Sequence, residues 1–276
     1  MILGDYNRLK IIRKAEQGVY LEGDATGDVL LPAKEVPEGV GIGDELNVFL
    51  YLDQEERLIA TTKRPYAKVG EFAQLEVAWV NKYGAFLKWG LLKDLFCPFS
   101  EQRKHMEVGQ RHIVHIHLDE ESYRIVASAK VERYIEDAPQ IYQHNQAVDL
   151  LVWQRTDLGY KVIVDNRYQG LVYQNQIFRN IHVGQQLQGF VNQVRADGKM
   201  DISLQPTGVR ATKDFADVLL EYLESNGGMC ELGDKSAPED IQERFSVSKK
   251  VYKKAIGDLY KRRLIRIEED GIKLNT

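Results

Sequence analysis

The chain has 276 residues, 43% of them hydrophobic and 28% charged, with a net charge of −4. This length and apolar content fit a globular protein of two or more domains. No apolar run reaches membrane-spanning length, the longest being Val48-Phe49-Leu50-Tyr51-Leu52, so no membrane partner is expected.

The acidic total speaks against a nucleic-acid binder, but the charge is unevenly placed. Lys plus Arg minus Asp plus Glu is −5 for 1–63 (7 minus 12), 0 for 64–139 (11 minus 11), +2 for 140–210 (7 minus 5) and −1 for 211–276 (12 minus 13). Cys97 and Cys230 lie far apart and form neither a disulfide framework nor a CxxC metal site. The stretch from Met1 to Lys14 carries a charge every few residues and has no apolar signal-peptide core. Both features predict a reducing, cytoplasmic setting.

Glycine spacing organises the first three quarters of the chain. Gly18 precedes Gly43, Gly84 precedes Gly109 and Gly159 precedes Gly184, each by 25 residues. Three matched spacings predict a structural repeat. In the first copy, strands are predicted over Arg8 to Lys14, Gly18 to Leu21, Asp28 to Leu31, Leu46 to Leu52 and Leu58 to Thr62. Five short strands in some sixty residues, separated by Gly or acidic turns, indicate a small barrel or sandwich rather than βαβ units.

The second copy has Leu75 to Trp79, Gly84 to Trp89, His112 to Leu118 and Ile125 to Ala129 as strands. If Ala85, Leu87 and Trp89 face its core, Phe86 and Lys88 face out. The third copy runs through Leu150 to Trp153, Gly159 to Val162, Leu187 to Val194 and Met200 to Leu204, with a hairpin turn at Ala196-Asp197-Gly198. Pro32, Pro98 and Tyr173 each lie 14 residues after the first glycine of their copy.

A glycine, an aromatic two residues on, a Val-Gly-Gln step and a closing strand containing Ser together resemble the S-one domain, an RNA-binding barrel of the oligonucleotide-binding (OB) fold. In that family the ligand face carries an aromatic just before the glycine, another two after it and a histidine fourteen after it. The resemblance puts Tyr83 and Phe86 on that face in the second copy, with Pro98 in place of the histidine. In the first copy Tyr20 alone matches; Gln17 and Pro32 do not. In the third, Leu158 and Lys161 replace the aromatics, and Tyr173 restores a ring at the last position. Asp53 and Arg57, Asp119, and Arg195 and Lys199 stand at the family's polar turn before the last strand.

The chemistry of such a face follows from the ligand. Single strands expose base faces and a charged backbone, so outward rings stack on bases while nearby Lys or Arg meets phosphate. Phe86 with Lys88, and Tyr173 with Lys161 and Arg167, supply that pairing. The alternative use of each ring is packing between neighbouring barrels.

From Ala211 the period becomes helical, with Phe215, Val218, Leu219, Tyr222 and Leu223 on one stripe. Gly227-Gly228 ends that helix, and Met229 to Leu232 forms a short strand. Ser236-Ala237-Pro238-Glu239 starts a short helix as a capping box. A third helix runs from about Lys249 to Arg263 with Val251, Ala255, Ile256 and Leu259 inward. Leu264 to Glu268 and Ile272 to Leu274 form a hairpin. This order resembles a winged helix.

Residues 248–266 hold eight Lys or Arg against one acid, Asp258. Lys249, Lys250, Lys253, Lys254, Lys261, Arg262 and Arg263 are the candidate contacts. A lysine-rich helix without Asn, Gln or Arg before Arg262 is suited to phosphate rather than to base edges.

The predicted class is therefore mainly β: three tandem OB-fold, S-one-like, five-stranded barrels (1–66, 67–137 and 138–208) and a C-terminal α+β winged-helix domain (209–276). The whole arrangement resembles the conserved virulence factor B family of RNA-binding proteins, with Ser248-Lys249-Lys250 and Lys254-Ala255-Ile256-Gly257 as its most distinctive match. The resemblance implies a non-enzymatic regulator that binds single-stranded RNA. A DNA-binding regulator using the winged helix is the alternative.

The sequence has no GxxxxGK[ST], HExxH or GxSxG motif, and no cofactor is implied. His115 and His117 share one strand face without a third ligand at metal spacing, so a barrel-surface role is expected rather than a zinc site. A metal-dependent nuclease, with ligands drawn from distant segments, is a third reading.

Overall fold

The structure is a computed structural model that describes all residues except 26, 175, 176, 178, 179, 207, 208, 246, 269 and 276, with the backbone alone for 209–214. Two compact units divide the chain, residues 1–135 and 136–276.

The first unit holds two closed barrels. Barrel 1 consists of β1 (Tyr6–Ala15), β2 (Gly18–Asp24), β3 (Gly27–Pro32), β4 (Glu45–Leu52) and β5 (Leu58–Thr61) in the order β1-β2-β3-β5-β4. Barrel 2 repeats that order with β6 (Phe72–Val80), β7 (Gly84–Leu87), β8 (Leu95–Pro98), β9 (Arg111–Leu118) and β10 (Ile125–Ser128). In the second unit, barrel 3 repeats it again with β11 (Ala147–Thr156), β12 (Gly159–Val164), β13 (Tyr168–Tyr173), β14 (Gln186–Val194) and β15 (Met200–Ser203). In each barrel the third strand pairs in parallel with the fifth. That pairing closes the sheet and leaves no free edge.

The two glycines of each repeat serve different ends. A Cβ on Gly18 would lie 2.1 Å from the carbonyl oxygen of Leu31, on Gly84 2.4 Å from that of Cys97, and on Gly159 2.1 Å from that of Val172. Only glycine lets the second strand start so close to the third. The residue fourteen later is its register partner, as Gly18↔Pro32, Gly84↔Pro98 and Gly159↔Tyr173.

The later glycines adopt left-handed φ values of 99°, 84° and 90° at Gly43, Gly109 and Gly184. Their amides donate to Ile11, Val77 and Val152 at 2.8, 2.9 and 2.7 Å. Those three acceptors each precede a bulge in the barrel's first strand, where the register to the second strand skips a residue. The 25-residue spacing thus ties a tight turn to a bulge.

Strand β4 is buried on both faces, which explains its unbroken apolar run. Val48 and Leu50 belong to the barrel 1 core, whereas Phe49 and Tyr51 join that of barrel 2. Phe49 meets Trp89 edge-on at 5.7 Å between ring centroids. Lys68 pairs with Asp5 at 2.8 Å, and the Val69 amide donates to the Gly4 carbonyl. Barrels 1 and 2 keep separate cores, and the outward face of β4 packs against the second. Sequence reading missed β8 and β13; each is a short partner of the glycine strand.

The winged helix comprises α1 (Val209–Ser225), β16 (Met229–Cys230), α2 (Pro238–Phe245), α3 (Lys249–Lys261), β17 (Ile265–Glu268) and β18 (Gly271–Leu274), with sheet order β16-β18-β17. The Ser248 hydroxyl caps α3 by accepting from the Val251 amide. Tyr252 occupies the buried stripe on which Val251 was expected; Val251 sits at its edge, half-buried. The Tyr252 hydroxyl donates to the Leu232 carbonyl at 2.8 Å, which satisfies a polar atom inside the core.

Candidate nucleic-acid interface

The bulge in each first strand decides what faces outward beside the glycine strand. It pairs Arg13 with Tyr20, Trp79 with Phe86 and Gln154 with Lys161. These pairs are at matching positions in the three barrels, five before and two after the repeat glycine. In barrel 1 the Arg13 guanidinium lies 3.4 Å from the Tyr20 ring centroid, and Gln17 donates to the Tyr20 hydroxyl at 2.9 Å. In barrel 2 Trp79 stacks on Phe86 with centroids 3.6 Å apart and planes 4° from parallel. Phe96 tilts against the Phe86 ring at 4.9 Å.

Trp79 is the residue that sequence reading missed. Alternation from Leu75 through Val77 would carry it inward, but the bulge at Ala78 turns it out, 45% exposed, while Leu75 and Val77 are buried. As expected, Ala85, Leu87 and Trp89 are buried. Tyr83, just before the glycine, is 62% exposed, with the Lys82 ammonium 5.0 Å from its ring.

Lys88 does point outward, but onto Glu76, at 2.5 Å; Arg111 joins the same carboxylate at 3.6 Å. The Lys88 hydrogen bond holds the Glu76 carboxyl below its usual range, and Glu76 in turn raises the Lys88 ammonium. Phosphate would have to displace that partner.

In barrel 3, adjacent strands place Lys161 beside Leu171 and Leu171 beside Asp201. Tyr173 donates to Asp201 at 3.3 Å, and Arg195 pairs with the same carboxylate at 3.0 Å. Tyr173 and Arg195 are therefore brought together through Asp201. Lys161 lies 5.4 Å from the Trp153 ring centroid, and Lys199 pairs with Asp197 at 3.2 Å. Arg167 turns instead to Glu136 at 2.9 Å.

On α3, Lys250, Lys254 and Lys261 are exposed. Their spacing of four and seven residues puts them on one ridge, and Gly257 lies on the same line with open space above it. None of the three has a carboxylate within ion-pair distance among the described residues. The neighbouring cations are engaged: Lys249 donates to the Lys235 carbonyl at 3.4 Å, Lys253 is 4.0 Å from Asp234, and Arg262 reaches Asp217 at 3.3 Å and Asp258 at 3.4 Å. Arg263, in a left-handed conformation at φ 57°, follows the helix and is exposed.

His115 and His117 do share a strand face. Tyr134 stacks on His115 at 4.0 Å between ring centroids, and its hydroxyl lies 3.2 Å from His117 Nε2. Burial lowers both imidazoles, His115 to about 4. Among the described residues no three His, Cys, Asp or Glu side chains form a cluster that could hold a metal ion.

Residues 217–274 match the CvfB-like winged helix domain, and residues 3–63 match the S1 domain. The uncharacterized protein YitL of Bacillus subtilis (strain 168) is 29% identical over 266 residues, covering 94% of this chain and 89% of its own. Conserved virulence factor B of Staphylococcus aureus (strain N315) is 23% identical over 282 residues, covering 99% of this chain and 94% of its own. A solved multidomain protein with nucleic acid binding domains from Streptococcus pneumoniae is 26% identical, covers 99% of this chain and 98% of its own, and superposes with a TM-score of 0.44.

Barrels of the S1 type followed by a winged helix are the domains of a nucleic-acid-binding class of protein. Within that class, the C-terminal domain is of the CvfB-like winged-helix kind, and the chain is similar along nearly its whole length to conserved virulence factor B.

Proposed function

We propose that this chain is a post-transcriptional regulator that binds single-stranded RNA with little sequence preference. The observation that carries the reading is the outward face of barrel 2, where the exposed Tyr83 ring adjoins the packed rings of Trp79, Phe86 and Phe96. Such a surface is suited to unpaired bases, because a duplex keeps its base faces stacked on one another. RNA is the partner that the S1 resemblance implies.

The ridge of Lys250, Lys254 and Lys261 adds phosphate attraction without base readout. The barrel 3 set of Lys161, Tyr173, Arg195 and Lys199 acts as a further contact once phosphate displaces the local carboxylates. In barrel 1, Tyr20 is the ring offered, backed by Arg13. The buried thiols suit a cytoplasmic protein; burial pushes Cys97 up to about 12, which keeps it protonated.

The position of α3 also fits the alternative, a DNA-binding regulator reading duplex through the winged helix. The first test is titration of the intact chain with an unstructured RNA by fluorescence anisotropy. Saturable binding that Phe86→Ala weakens by about fivefold or more, with native circular dichroism, is the expected result, from a stacking contribution of about 1–3 kcal/mol per base. RNA affinity unchanged by Phe86→Ala would remove the barrel 2 face from the interface.

A further inference from the structure

We infer that the cleft where barrel 1 meets barrel 2 receives one unpaired nucleobase of the bound strand, so that the two barrels form a single composite base site. This rests on the nucleic-acid reading above and gives it a specific receptor. The cleft has a volume of about 410 Å³, within the range of small-ligand pockets. Phe86 and Phe96 of barrel 2 line one side; Tyr51 and Leu52, from the end of β4 in barrel 1, line another.

The electrostatics select the base rather than the backbone. Both cations at the cleft are engaged by barrel 1: Lys93 lies 3.1 Å from Glu56 and donates to the Asp53 carbonyl at 2.7 Å, and Arg124 lies 3.1 Å from the same Glu56. Asp94 also lines the cleft, so its two cations are matched by two carboxylates. A phosphate entering here would meet an engaged pair, whereas a neutral planar ring would meet apolar and aromatic walls.

One polar group is pre-aimed. The Asn81 side-chain oxygen accepts the amides of Tyr83 at 2.8 Å and Gly84 at 3.2 Å. That fixes the carboxamide and leaves its NH2 as a donor for a base acceptor such as a ring carbonyl. Outside, Tyr83 offers its exposed ring as the outer stacking face. Lys82 beside it pairs with no carboxylate among the described residues and is placed for the phosphate of the same nucleotide. Ring within, phosphate without, is the charge pattern of a nucleotide extruded from a strand.

The experiment uses the full chain and an unstructured oligoribonucleotide in which each position in turn is made abasic. For the native protein one abasic position should cost about tenfold in affinity, the equivalent of one stacked base. Tyr83→Ala should lose a similar factor and become indifferent to the abasic position. Leu52→Trp, which fills the cleft from barrel 1, should do the same without altering barrel 2.

Photocrosslinking of the strand gives a reading independent of both variants. Adducts are expected on residues 51–56 as well as 81–96. Native binding that ignores abasic positions, resists both substitutions and leaves barrel 1 uncrosslinked would overturn the composite site while leaving the proposed function standing. Absence of any binding by the native chain would overturn both.

Discussion

Replacing Lys250, Lys254 and Lys261 together by alanine removes the three α3 cations that have no carboxylate partner among the described residues. Each phosphate neutralised on a single strand contributes about −0.7 to the slope of log affinity against log salt. Three contacts therefore account for a slope of about −2. A fourfold rise in salt, from about 50 to 200 mM, spans about 0.6 in log units, so these contacts alone make the native protein lose nearly 20-fold in affinity over that range. The triple variant should bind more weakly at low salt and lack that component.

Alanine has the higher helix propensity, so α3 itself should persist. The assay is fluorescence anisotropy with an unstructured RNA at four salt concentrations. Lys253→Ala is the internal comparison: that ammonium is 4.0 Å from Asp234, and its loss should change the slope by less than one contact's worth. A triple variant with native circular dichroism and an unchanged slope would refute the assignment of the ridge to phosphate.

Other consequences concern the scaffold. Gly84→Ala forces a Cβ to within 2.4 Å of the Cys97 carbonyl and should destabilise the protein by about 1–3 kcal/mol in urea titration, as overpacking does. Tyr252→Phe strips the Leu232 carbonyl of its buried donor and should cost about 1–2 kcal/mol in winged-helix stability, seen as earlier loss of helical ellipticity on heating. His115 is held neutral by burial, its folded pKa of about 4 lying below the ordinary 6.5. The unfolded chain therefore binds the extra proton first. The stabilising contribution is complete above pH 6.5 and is lost as pH falls toward 4. The melting temperature should drop between pH 7 and pH 5, and His115→Gln should flatten that drop.

The barrels were legible because the repeat glycines answer to steric demands that no other residue meets. A backbone carbonyl closes on Gly18, Gly84 and Gly159, and the left-handed turns at Gly43, Gly109 and Gly184 favour the same residue. The winged helix was legible from its caps and stripes, apart from the shift that buries Tyr252. Trp79 was not legible, since a bulge reverses strand alternation without leaving a mark in composition.

Nor were the fates of the candidate cations. Lys88 ends on Glu76, Arg195 on Asp201 and Arg262 on Asp217 because of strand register and helix packing, which local sequence does not encode. The base-sized cleft required both barrels, as its walls come from residues 51–56 of one and 81–126 of the other.

The central claim is preference for an unpaired strand. It is tested most directly by competition on the intact chain between an unstructured RNA and a duplex DNA of the same length. Displacement of labelled RNA by unlabelled RNA at concentrations well below those needed with duplex is the predicted result. Tighter binding of the duplex, with a defined footprint, would contradict the account and make the winged helix a reader of DNA.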